Sequence, residues 1–69
     1  MKTTKISGYS VEISICDDST QCWIEKGKYA ASLAALQDTG LLETTLGGEH
    51  TVNPDTIDRI TEWAEANGY

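Results

Sequence analysis

The chain predicts an α+β domain: a small antiparallel sheet, built from an N-terminal hairpin and a short second hairpin, packed against two helices. Three observations carry that class. The stretch "YSVEISIC" alternates apolar and polar residues with a period of two, the pattern of a half-buried strand. "YAASLAALQDTG" and "NPDTIDRITEWAEANGY" place apolar residues at steps of three and four, the pattern of an amphipathic helix. Between those two helical patterns, "LLETTLGGEHTV" has Thr and Val on either side of a Gly-Gly turn signal.

In the first strand Tyr9, Val11, Ile13 and Ile15 point one way, and Ser10, Glu12, Ser14 and Cys16 the other. "DDST" follows, where Asp and Ser favour a turn by bonding their own backbone. "QCWIEK" is then the returning strand. A turn centred on Asp18-Ser19 sets Ile13 opposite Ile24 and Ile15 opposite Cys22, which gives one apolar face. The same register leaves Glu12 opposite Glu25.

The first helix is expected over residues 29–40. Tyr29, Leu33 and Leu36 form its stripe, its alanines are strong helix formers, and Gly40 is its stop. The second hairpin is expected to have arms near residues 42–46 and 49–52, turning at Gly47-Gly48. The last helix is the best signalled element. Asn53 is its N-cap, Pro54 occupies the first position, where a missing N–H costs nothing, and Asp55 suits the dipole. Ile57, Ile60 and Ala64 form its buried stripe, and Asn67-Gly68 closes it.

With 69 residues, there is one domain spanning residues 1–69. A chain of this size buries only about 60% of the surface its unfolded form exposes, which favours a surface function over a deep catalytic cleft. Its longest apolar-looking uncharged run, residues 29–37, falls far short of the roughly 20 residues a membrane span needs. "MKTTKIS" has lysines but no apolar block behind them, so a cytoplasmic location is expected. The cysteines, Cys16 and Cys22, have a spacing that fits neither a zinc knuckle nor a redox pair, and both are expected as free, half-buried strand thiols. No metal or cofactor is implied. "CDDST" lacks the glycine and closing glutamate of a calcium loop, and "LGGEH" lacks the lysine of a phosphate loop. His50 is the only histidine, and no spacing supports a catalytic triad, so an enzyme is not expected.

The net charge is −6, and it is unevenly spread. Residues 1–28 hold four lysines against four acids. Residues 29–69 hold Asp38, Glu43, Glu49, Asp55, Asp58, Glu62 and Glu65 against Arg59 alone. A one-sided field of this sign steers a basic partner and disfavours direct nucleic-acid binding.

Asp55, Asp58, Glu62 and Glu65 stand at steps of three, four and three. On a helical wheel they fall in an arc of about 80°, opposite the core stripe, along roughly 15 Å of axis. Like charges at these spacings cost about 0.2–0.5 kcal/mol per pair, and only Arg59 relieves them. The total, about 1 kcal/mol, is a noticeable share for a small domain. One reading is an acidic face kept for solubility. The other is a row of carboxylates standing in for phosphates in a groove lined by Lys and Arg, with Asp38, Glu43 and Glu49 as further charges. Trp63 is placed at the edge of the core stripe. Trp23 alternates with Cys22 and Ile24, and so lies on the other sheet face as a contact candidate.

In size, charge and lack of a catalytic signature, and above all in "DTIDRITEWAE", the chain resembles the small acidic anti-CRISPR proteins of phages and mobile elements. The resemblance is one of character along the whole chain and rests on no shared motif. It implies an inhibitor that mimics double-stranded DNA. Its partner would be the basic DNA-binding surface of a CRISPR surveillance complex protein, at the groove that recognises the protospacer-adjacent motif. A type I system is favoured, with subtype I-C one candidate. The contrasting expectation is a small interaction module or antitoxin-like regulator that docks through Trp23, Trp63 or Tyr69.

Overall fold

Two-residue turns at Ser7-Gly8, Asp17-Asp18 and Gly27-Lys28 fold the first half of the chain into a four-strand meander. In the computed structural model, which describes residues 1–69, the strands are β1 (Lys2–Ile6), β2 (Tyr9–Cys16), β3 (Ser19–Lys26) and β4 (Tyr29–Ser32). Helix α1 (Leu33–Thr39), strands β5 (Leu41–Glu43) and β6 (Glu49–Thr51), and helix α2 (Pro54–Ala66) follow. Ser7 and Gly8 both take positive φ, 51° and 85°, the backbone of a hairpin turn whose twist matches the strands it joins. All six strands form one antiparallel sheet in chain order. The fold is therefore α+β, with a larger sheet than the two hairpins expected from sequence.

Four expectations are corrected. Strand β1 is added, as a polar edge strand. Residues 29–32 are a strand, not the first turn of a helix: Ala31 pairs with Ile24 and Ala30 with Glu25. The helix starts only where Ser32 Oγ accepts a hydrogen bond from Ala35 N at 3.2 Å, and it stops at Gly40, whose φ is 71°. The β2–β3 turn centres on Asp17-Asp18, so Val11 pairs with Ile24 and Ile13 with Cys22. That is a slip of two residues, which keeps every side chain on its expected face. It also sets Glu12 opposite Trp23 and removes the expected Glu12–Glu25 repulsion. Finally, Ile15 lies opposite Thr20 near the hairpin end, beyond the core, and is 77% exposed.

The second hairpin forms with shorter arms than expected. Thr44 N donates to Gly48 O at 2.9 Å across its loop, and Thr44 Oγ1 accepts from Gly48 N at 2.8 Å. Helix α2 begins as the sequence predicts: Asn53 Oδ1 accepts from Asp55 N at 2.8 Å. At its other end Tyr69 folds back, its N–H donating to Ala64 O at 2.9 Å.

One core of eleven residues joins these elements. Tyr9, Val11, Ile13, Cys22 and Ile24 supply the sheet side, Leu33 and Leu36 α1, Leu42 and Val52 the second hairpin region, and Ile60 and Ala64 α2. Gln37 Nε2 donates to Thr61 Oγ1 at 3.0 Å and links the two helices. The sheet is curled around this core. Flat strands would hold β2 and β6 about 19 Å apart, four strand spacings. A Tyr and a His side chain together bridge only part of that distance, yet the Tyr9 hydroxyl and His50 Nε2 are hydrogen-bonded at 2.8 Å. The curl makes the helix-covered face concave and the other face convex. It closes over Tyr9, Tyr29 and His50, with the Tyr29 and His50 rings 5.4 Å apart.

Candidate functional site

The four carboxylates of α2 are all exposed, while Ile60 and Ala64 on the opposite side of the helix are fully buried and Ile57 is half-buried. The wheel expected from sequence is therefore the arrangement found. Asn53, Pro54 and the buried stripe fix the helix on the core, so the carboxylates form a ridge on a rigid element. Trp63 is half-buried and packs against the core.

The other three acids do not extend that ridge as one surface. Asp38 is exposed on α1, within the helix layer. Glu43 follows Leu42, which is fully buried, so its side chain turns away from the core. Glu49 is its direct cross-strand partner. Both acids are exposed on the convex side of the sheet, where Glu43 shares a groove with Ala35 and Thr39 of α1. Like charges directly opposite each other in a sheet are destabilising, so this pair carries a small cost of its own.

The convex face has an order that the sequence alone did not reveal. Register runs from Lys5 to Ser10, Glu25, Ala30, Glu43 and Glu49, one residue from each strand in turn. The neighbouring row is Thr3, Glu12, Trp23 and Ser32. Trp23 is 41% exposed, as its alternation with Cys22 and Ile24 predicts. A groove of about 420 Å³ lies beside it, lined by Lys5, Ser10, Glu12 and Glu25 among others.

The remaining candidates have local roles. His50 is tied to Tyr9 and lies tilted against Tyr29, and Lys26 lies 5.0 Å over the Tyr9 ring. The cysteines correct the expectation of two half-buried thiols: Cys16 is exposed and Cys22 buried. They occupy opposite faces of the hairpin and are free. Burial pushes the Cys22 thiol above its ordinary value. No three His, Cys, Asp or Glu side chains converge on a point that could hold a metal ion. No helix is long and apolar enough to cross a membrane.

No protein-family model, curated protein sequence or solved structure matches the chain.

Proposed function

We propose that the protein is a non-enzymatic inhibitor that presents the α2 ridge as a mimic of double-stranded DNA. On this reading it acts in the cytoplasm of a host cell. There it occupies the basic groove with which a type I CRISPR surveillance complex recognises the protospacer-adjacent motif. The observation that carries the proposal is the ridge itself. Asp55, Asp58, Glu62 and Glu65 are all exposed along one side of a well-capped helix, at spacings where like charges repel. An acidic face serves solubility in any arrangement, whereas a groove built for phosphates needs the carboxylates in a row.

The test is a competition assay. A type I surveillance complex is incubated with the protein and then given target duplex at two salt concentrations. The native protein is expected to block DNA binding, less so at high salt, and the Asp58→Lys/Glu62→Lys protein is expected not to block it. DNA binding untouched by the native protein, in complexes of the type I subtypes including I-C, would defeat the proposal. A second reading, docking through exposed aromatics, is favoured by Trp23 and by Tyr69, which is 42% exposed. In that case charge reversal on α2 would mainly slow association.

A further inference from the structure

We infer that the convex face of the sheet carries a second binding site, centred on Trp23, for an arginine side chain of a protein partner. The site uses none of the α2 carboxylates and lies on the sheet face turned away from the core.

The chemistry follows from three neighbours fixed by register. Trp23 stands directly across from Glu12 on β2 and two residues from Glu25 on its own strand and face. Side chains directly opposite in a sheet lie about 4.5–5.5 Å apart at Cβ, and same-face neighbours along a strand about 7 Å apart. An indole ring with a carboxylate on two of its sides thus faces the groove of about 420 Å³. An aromatic face attracts a cation, Trp best of all, and a guanidinium both stacks on the ring and donates in-plane hydrogen bonds to carboxylates. A lysine ammonium can use the charge but not the stacking or the fork.

Charge complementarity points to the same occupant. Lys5 alone faces Glu12 and Glu25 within the groove, and Glu43 and Glu49 extend the acidic row across the face. An anionic partner is therefore disfavoured. A purely apolar one would find, besides Trp23, a lining of Thr, Ser, Lys and Glu with Val11. Trp23 also borders two further grooves, one beside Ala35 and Leu41 and one beside Tyr69. The segment that carries the arginine thus has room to continue past the ring on either side.

The experiment is a titration of the isotope-labelled full chain with acetyl-Gly-Arg-Gly-Arg-Gly-amide, reading the two indole N–H signals by NMR. The citrulline version of the peptide, isosteric and uncharged, is run beside it. The Trp23 signal is expected to move and saturate with the arginine peptide, while that of half-buried Trp63 stays. Glu12→Gln/Glu25→Gln, whose fold is checked by its amide spectrum, is expected to weaken binding about fivefold. Trp23→Leu, followed by calorimetry, is expected to weaken it between about 2- and 30-fold. Asp58→Lys/Glu62→Lys is expected to leave the Trp23 response unchanged, which separates this site from the ridge. Equal binding of the citrulline peptide would overturn the inference in favour of an apolar occupant. A Trp23 signal that moves with protein concentration alone would overturn it in favour of a second copy. So would a response that disappears with the α2 substitutions, since the peptide would then be held by the ridge.

Discussion

Replacing Asp58 with lysine should make the protein more stable. Asp58 faces Asp55 three residues back and Glu62 four residues on, and all three are exposed. Each like-charged pair costs about 0.2–0.5 kcal/mol, and an opposite pair returns a similar amount. Reversing one charge therefore swings each pair by about 0.4–1 kcal/mol, or about 0.8–2 kcal/mol for two. Arg59 is the adjacent residue and does not face position 58, so no attraction is lost. The new lysine would follow Asp55, the favourable orientation, but precede Glu62, the less favourable one. Solvent screens both pairs, which brings the expected gain to about 1 kcal/mol at low salt. For a domain of this size that raises the midpoint of thermal unfolding by about 4–8 °C. Asp58→Asn, which removes repulsion without adding attraction, should give about half. The assay is thermal and urea unfolding at low salt and at about 1 M salt, where the Debye length of about 3 Å should erase most of the difference. An Asp58→Lys protein no more stable than the native at low salt would refute the reasoning, because the ridge would then cost nothing to keep.

Four further outcomes are expected. A thiol reagent should modify Cys16 rapidly and Cys22 only as the protein unfolds, since one is exposed and the other buried. Burial raises the Cys22 thiol above 9.0, so the unfolded chain ionises first as pH rises. Stability should therefore be unaffected by this group below about pH 9 and fall above it, and Cys22→Ala should reduce that alkaline loss in a pH series of unfolding curves. Asn53→Ala removes the hydrogen bond accepted from Asp55 N and should cost about 1 kcal/mol in urea unfolding, with Asn53→Gly costing only a few tenths. Glu43→Lys/Glu49→Lys should leave inhibition through the α2 ridge within about twofold in the DNA competition assay, whereas Asp58→Lys/Glu62→Lys should abolish it.

Sequence made α2 legible from cap to close, because Asn53, Pro54, the Ile57–Ile60–Ala64 stripe and Asn67-Gly68 all agree. Trp23 was legible for a simpler reason: a strand residue between two buried neighbours must point outward. Strand β1 was not, since a polar edge strand needs few apolar residues, but the Ser7-Gly8 pair in front of "YSVEISIC" was a hairpin signal. The alanines of residues 29–32 favour helix locally, and pairing with β3 overrides them; Gly27, at φ 60°, was the sign of that turn. The β2–β3 register escaped because a slip of two leaves the apolar faces unchanged, so the pattern could not choose between them. The curl of the sheet brings together Tyr9 and His50, 41 residues apart, a contact that no local pattern announces.

The placement of the acids narrows what the ridge can imitate. Along α2 its four charges are spaced by about 4.5, 6 and 4.5 Å of axis. One strand of DNA presents a charge per about 3.4 Å and the duplex one per about 1.7 Å. The ridge is thus closer in density to a single phosphate strand than to both. A second row could have come from Glu43 and Glu49, but Leu42 and the curl put them on the convex side. A rigid groove that grips α2 therefore meets four carboxylates, with Asp38 the other acid on the helix layer. Such a contact imitates one edge of a duplex, and its salt dependence should be that of about four to five charge contacts. The convex face is left free to engage something else while the ridge is occupied. A chain of 69 residues with charge on two separate faces is suited to bridging two basic surfaces, and the two faces can be disabled one at a time.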